Sequence, residues 1–261
     1  MEHSLRLSDR RRKELATLLR KKGRDTWRQA LVEGWRGVES VLDAGVPVLD
    51  LVASDRAAND PRLPALARRA GAPVVFAAEH VFDKLSDVQT AQGILAVVPT
   101  RYLPFEALVE KRRLLVLDGV QDPGNVGTLI RTAGWFGLDA IVTGPGTADP
   151  YHPKVMRATM GGLWDVDLAD AGDLGALLAS LAAAGFDLVG ADLGGQAIPT
   201  WAPAERTALV LGSEAHGLSD AARRALSRRV VIAGAEGRRG AESLNVAVAG
   251  GILMHHWLGT G

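Results

Sequence analysis

The strongest constraint on this chain is a pattern that recurs three times in its second half. An apolar run or a polar loop empties into a helix-forming stretch, with Gly, Asn, Ser, Glu or Arg at the junction. The instances are LDGVQDPGNVGTLIRTAGWFG from Leu117 to Gly137, LVLGSEAHGLS from Leu209 to Ser219, and ESLNVAVAGGILMHHW from Glu242 to Trp257. Between and around them, Leu114–Leu117, Ala140–Val142, Leu188–Ala191, Ala208–Leu211 and Val230–Ile232 are short continuous apolar runs. Helix-like stretches at Val126–Phe136, Val155–Gly161, Leu174–Ala184 and Ser243–Trp257 alternate with them. Continuous apolar strands, each followed by a helix, predict a parallel sheet covered on both faces. Small charged ligands bind where such strands end and helices begin, because backbone N–H groups and polar side chains gather there.

The first half also alternates. A basic helix is expected from Arg10 to Lys22, with Leu15, Leu18 and Leu19 on one side. A helical stretch follows at Val38–Ala44, then a strand at Val48–Ala53, a helix at Leu63–Ala70 stopped by Gly71, a strand at Val74–Ala77 and another at Gly93–Val98. Pro99 to Pro104 reads as a linker. The expected fold class is therefore α/β, in two domains covering 1–100 and 105–261.

Composition narrows the class further. The chain has no cysteine, which excludes disulfides and thiolate metal sites. The histidines do not form a recognisable ligand set with carboxylates, so no metal is expected. No apolar run approaches the roughly 18 residues of a membrane span, and the charged N-terminus lacks the apolar core of a signal peptide. A cytoplasmic protein is expected. Net charge is zero, but eleven basic residues against five acidic ones up to Arg36 leave a local excess of six. Such a segment is either a solvated helix face or a surface for phosphates.

Three junctions hold the candidate site residues. Gly124 and Gly127 permit close backbone approach around Asn125, which stands where a helix cap would stand, and Arg131 follows inside an apolar helix start. Gly212-Ser213-Glu214 follows the Ala208–Leu211 run, and Glu214 suits the positive end of the next helix. Ser243 reads as an ordinary cap of the last helix, whereas Asn245, two residues in, is a poor helix former. Gly250 and Gly251 each cost roughly 1 kcal/mol relative to alanine in a helix, which suggests close approach by another backbone.

Taken in order, the three segments resemble the three motifs of the SpoU (TrmH) family, RNA 2′-O-ribose methyltransferases of the SPOUT superfamily. The resemblance covers roughly the last 150 residues. It implies a parallel sheet with a C-terminal trefoil knot, S-adenosylmethionine as methyl donor, and an active site shared in a homodimer. It implies Asn125, Arg131, Ser243 and Asn245 as catalytic residues, Gly212, Ile232 and Leu244 at the cofactor, and Glu214 as a support. A guanidinium stays protonated in proteins, which suits Arg131 to hold an RNA phosphate or the developing alkoxide rather than to take a proton. Arg20 to Glu39 and Leu85 to Val98 resemble the L30e-like substrate-binding domain found before many such catalytic domains, whose implied task is to grip folded RNA.

The implied substrate is structured RNA, 23S ribosomal RNA before transfer RNA because of the L30e-like domain. A tRNA 2′-O-methyltransferase of the same fold is the nearest rival, and a catalytically idle RNA-binding or assembly factor the next. A Rossmann enzyme is disfavoured because Asp122 to Gly127 lacks the G-x-G-x-x-G spacing. The chain departs from the family pattern in a longer glycine-rich spacer before Ser243, whose Arg238 and Arg239 could touch RNA, and in Thr159, where Ser is more usual. His152, Lys154 and Arg157 are further residues that could face RNA.

Overall fold

The central strands are apolar on both sides, and they build a sheet that is covered on both sides. A computed structural model describes residues 5–235 and 242–259. The chain falls into two units, residues 1–101 with 149–164 and residues 102–148 with 165–261.

The first unit begins with β1 (Leu5–Arg6), α1 (Asp9–Thr17), α2 (Lys21–Trp27), β2 (Gln29–Glu33) and α3 (Trp35–Asp43). It continues with β3 (Asp50–Ser54), α4 (Leu63–Ala70), β4 (Val74–Ala77), α5 (Glu79–Phe82) and β5 (Ile94–Pro99). Its sheet has the order β1-β4-β3-β5-β2, with β5 antiparallel to both neighbours. Leu15, Leu18, Leu31, Val52, Leu95 and Phe82 form its core. The single helix expected over Arg10–Lys22 is two. Arg20 is extended at φ −110°, and Gly23 lies so close to the Thr17 backbone that a Cβ there would overlap it. Leu15 and Leu18 are both buried by this fold-back, which a straight helix does not require.

The second unit contains α6 (Phe105–Leu108), β6 (Arg113–Asp118), α7 (Pro123–Phe136) and β7 (Ala140–Thr143). The next helix, α8 (Pro153–Thr159), belongs by its packing to the first unit. The chain then returns with β8 (Asp167–Asp170), α9 (Leu174–Ala183), β9 (Asp187–Ala197), β10 (Thr207–Gly212), α10 (Asp220–Ala225), β11 (Arg228–Val231) and α11 (Val246–Leu258). Its six strands are all parallel, in the order β11-β9-β10-β6-β7-β8. Leu114, Val116, Val142, Leu188 and Val210 pack with Leu174, Leu178 and Leu181 of α9. At roughly 1.5–3 kcal/mol for each fully buried aliphatic side chain, this cluster is a main source of stability. On the other face α7 lies beside α11, where a Cβ on Gly250 would overlap the Leu129 side chain and stand 2.8 Å from Leu211 Cδ1. The close approach expected at Gly250 is thus to side chains of α7 and β10, not to another backbone. Gly251 has room, its nearest neighbour being Thr132 Cγ2 at 3.9 Å.

The first unit also contains a buried ion pair between residues far apart in sequence. Arg24, 2% exposed, donates through Nε and Nη2 to Asp149 at 2.8 and 2.5 Å and through Nη1 to the Leu18 carbonyl at 2.7 Å. Arg24 is therefore withdrawn from the basic surface expected of this segment. Among the described residues no helix is long and apolar enough to cross a membrane.

Candidate active site

Strands β6, β9, β10 and β11 run parallel, so their carboxyl ends lie on one edge of the sheet, the usual place for a ligand in an open α/β sheet. The loop after β10 is tied by a pair of hydrogen bonds between Ser213 and Gly217, 2.9 and 2.8 Å. Gly217 has φ +66°, and a Cβ on Gly212 would fall inside the Gly217 backbone. Glycine at 212 is thus required by the closure of its own loop. Beneath the loop, the buried Asp118 at the end of β6 accepts the Ser219 N–H at 2.6 Å. Sequence reasoning passed over Asp118, although a carboxylate ending a wholly apolar strand is a visible signal.

Asp122, not Asn125, caps α7, accepting the Asn125 N–H at 2.9 Å. Asn125 is thereby freed for other partners: its Nδ2 donates to Glu214 at 2.6 Å. Likewise Asn245, not Ser243, caps α11, with Oδ1 accepting the N–H groups of Ala247 and Val248. Asn245 Nδ2 then donates to Asn125 Oδ1 at 3.0 Å. The orientation of the whole chain follows from the cap. Backbone N–H groups require an oxygen from Asn245, which turns its NH₂ toward Asn125 and the Asn125 NH₂ toward the Glu214 carboxylate. Neither Asn125 nor Ser243 therefore takes the capping role that stood as the plain alternative to a functional one, because a cap is set by backbone dihedrals and several Asx or Ser residues stood within reach of each helix start.

A cavity of about 580 Å³ opens beside this chain. Leu211, Gly212, Ile232, Leu244 and Leu253 supply apolar or backbone wall, and Asp192, Glu214, Ser243 and Asn245 supply polar groups. Asp192 is held by Arg223 at 2.6 Å and Arg229 at 3.6 Å. The volume lies within the range of small-molecule sites, and the mixture of apolar wall and few polar groups suits a nucleoside carrying an amino acid chain. Among the described residues no group of three or more His, Asp or Glu side chains comes together that could hold a metal ion.

The structure thus brings together Asn125, Glu214 and Asn245 by hydrogen bonds, and Gly212, Ile232, Ser243, Leu244 and Glu214 around one cavity. Arg131 is in neither set. Six residues on from Asn125, Arg131 is about a third of a turn away around α7. It is exposed, shares its stripe with Thr128 and the 85% exposed Trp135, and pairs with none of the described residues. Of the residues considered for RNA, His152 caps α8 by accepting the Lys154 N–H at 3.1 Å, and Arg157 donates to Asp87 at 2.9 Å. Lys154 is exposed, and Thr159 is buried, its hydroxyl donating to the Met156 carbonyl. Arg238 and Arg239 lie outside the described residues.

Comparison with known families decides what this arrangement is. Residues 112–255 match the model of the SpoU rRNA methylase family. The chain belongs to that family. Residues 10–96 match the MRM3-like substrate binding domain. The SpoU chain is similar to the 23S rRNA (guanosine(2553)-2′-O)-methyltransferase RlmP of Bacillus subtilis (strain 168), 34% identical over 253 residues that cover 95% of each protein. Among solved structures it resembles a TrmH-family protein from Porphyromonas gingivalis, with TM-score 0.83, 33% identity and coverage of 98% and 99% of the two chains. It also resembles the SpoU methyltransferase AviRb from Streptomyces viridochromogenes in complex with AdoMet, with TM-score 0.85, 25% identity and coverage of 95% and 97%. As a SpoU methylase the chain is an enzyme of RNA methylation, and the α/β fold with its parallel sheet is the family's.

Proposed function

We propose that this SpoU methylase transfers a methyl group from S-adenosylmethionine to a ribose 2′-hydroxyl of 23S ribosomal RNA, acting as a homodimer in the cytoplasm. The observation that carries the reading is the hydrogen-bonded chain Glu214–Asn125–Asn245, which joins the three motif segments and whose two ends, Glu214 and Asn245, line one cavity. RlmP supports the choice of RNA and of the 2′-oxygen, and AviRb supports the donor.

In this reading the apolar wall of Ile232 and Leu244 and the backbone at Gly212 hold the cofactor. The bound cofactor supplies a methyl group on a positively charged sulfur. Asn125, Ser243 and Asn245 place the 2′-hydroxyl, and Glu214 fixes Asn125. The hydroxyl would give its proton to water or an RNA phosphate as its oxygen bonds the methyl carbon, the methyl–sulfur bond breaking and its electron pair staying on sulfur as a neutral thioether. Arg131, protonated throughout, holds the neighbouring phosphate or the developing oxyanion. Positioning of this kind can supply a good part of the rate.

The homodimer reading is supported by large apolar side chains left exposed on α7 and α11. Trp135 on α7 is 85% exposed, and Val248 and Ile252 on α11 are 52% and 37% exposed. Arg131 shares the Trp135 stripe, so a second copy seated there completes the site around it. Residues 1–100 act as the RNA grip and residues 105–261 as the catalytic domain, with its C-terminus knotted.

The test is methyl transfer from labelled S-adenosylmethionine to purified 23S rRNA and to tRNA, with the modified nucleotide mapped. Ribose methylation of 23S rRNA is expected. Labelling of tRNA alone, of a base, or of neither RNA overturns the reading.

A further inference from the structure

The basic run before Arg36 separates into two kinds of residue. Arg24 is buried on Asp149, and Arg11 is held by Asp50 at 2.5 Å and Glu14 at 3.1 Å. Arg20, Lys22 and Arg28 are exposed, and their side chains pair with none of the described carboxylates. The pinned arginines serve the fold, and of the unpaired cations Arg20, Lys22 and Arg28 lie on or next to α2, with Lys13 on α1.

Arg28 stands out among them. It ends α2 in the left-handed conformation, φ 53° and ψ 40°. Among the described residues only Met160 shares a positive φ with it outside glycine. That conformation strains a side-chain-bearing residue, a strain that glycine avoids and asparagine can offset by a local hydrogen bond. Arginine does neither here. The backbone is fixed in place, since the Arg28 carbonyl accepts the Thr100 N–H at 2.9 Å where β2 pairs with β5. For the fold alone, glycine would serve better. The adjacent Trp27 is 40% exposed, so part of a large aromatic residue also faces solvent. Strain held at an exposed position, next to an unburied aromatic ring, points from structure to use.

An exposed aromatic residue followed by an unpaired cation, with two more unpaired cations at the start of the same short helix, fits one kind of ligand. An unpaired nucleotide stacks its base on the ring while cations hold its phosphates. A paired helix offers no free base face. We propose that Trp27 and Arg28, with Arg20 and Lys22, seat an unpaired nucleotide of the RNA substrate, Trp27 stacking on the base and Arg28 holding the phosphate. This rests on the reading of the chain as an RNA methylase and adds which residues select single-stranded over paired RNA.

The test uses the full chain and two RNA probes, a hairpin with a single-stranded loop and a blunt duplex with the same number of phosphates. Arg28→Gly relieves the backbone strain, so its melting temperature should equal or exceed that of the wild type. Its affinity for the hairpin should nevertheless fall about tenfold, on the scale of one lost contact. Trp27→Ala should lose hairpin affinity by a similar factor, and Trp27→Phe should retain it. Duplex affinity should change by less than about threefold in all three, since it depends on the summed charge. Hairpin binding that survives both Arg28→Gly and Trp27→Ala overturns the proposal, and so does an equal loss on hairpin and duplex. Binding of S-adenosylmethionine, followed by calorimetry on the same preparations, should be unchanged. Its absence in the wild type would instead count against the methylase reading, which keeps the two failures distinct.

Discussion

Asn245 is joined to Asn125 across 120 residues of chain: its Nδ2 donates to Asn125 Oδ1 over 3.0 Å while its own Oδ1 caps α11 at 2.9 and 3.2 Å. One amide thus does two jobs, ending a helix and orienting a second amide. The substitution Asn245→Asp separates them. Aspartate caps a helix as well as asparagine does, so denaturant midpoints should move by less than about 1 kcal/mol. It has no N–H to give Asn125, so methyl transfer should fall at least about tenfold. Asn245→Ala should lose activity and about 1 kcal/mol of stability together. An active Asn245→Asp enzyme would remove the link from the mechanism.

Arg131→Ala tests a residue that pairs with none of the described residues. Nothing is lost from the fold, so stability should stay within about 0.5 kcal/mol. Affinity for S-adenosylmethionine should stay within a few-fold, and the single-turnover rate should fall at least about a hundredfold. Turnover near that of the wild type would exclude Arg131 from the reaction.

Gly250 and Gly251 are adjacent yet differ in surroundings. Gly250→Ala places a methyl on Leu129 and Leu211 and should destabilise the protein by about 1–3 kcal/mol. Gly251→Leu has space within the chain but lies on α11 beside the exposed Ile252. It should leave monomer stability unchanged or slightly raised and weaken self-association, read by sedimentation equilibrium. Unchanged association would show that this face of α11 is not where two copies meet.

The Arg24–Asp149 pair is nearly water-free, with side chains 2% and 9% exposed. Arg24→Ala leaves a buried carboxylate without its partner, which costs about 3–5 kcal/mol. A loss below about 1 kcal/mol in urea denaturation would mean that Asp149 finds water or another partner.

His152 gives a pH dependence. Burial lowers its pKa below the ordinary 6.5, with the positive charge of Arg24 adding to the effect and Asp87 and Asp149 opposing it. The neutral ring is also the one that can accept the Lys154 N–H. Because the folded value is the lower one, this contribution is fully present above about 6.5 and is lost as pH falls through the folded value. The melting temperature should therefore drop on acidification, and less so in His152→Asn, which caps without titrating. Parallel pH profiles for the two proteins would refute the assignment.

The central strands could be read from the residues alone. Leu114–Leu117 and Ala208–Leu211 are buried on both faces, so every position is apolar and the pattern is local. The order of the three junction segments was equally visible, and with it the family. Element ends were less so. Asp122 and Asn245 cap helices that Asn125 and Ser243 could have capped, because the choice depends on backbone dihedrals that composition does not specify. The break between α1 and α2 was hidden for a related reason: it depends on Gly23 packing on Thr17, and nothing in the basic run announces it.

Charge shows the division most plainly. The sequence by itself determined that eleven basic residues crowd the first 36 positions, that the sheet is parallel, and which side chains stand at its strand ends. Only the tertiary structure decided that Arg24 is spent on a carboxylate 125 residues away while Arg28, four residues later, stands strained and free of any described carboxylate. It decided, too, that Asn125 serves Glu214 and Asn245 rather than its own helix. Periodicity and propensity act over a turn or two of chain. The partners of a buried ion or an oriented amide are chosen by packing across the fold, where sequence distance carries no information.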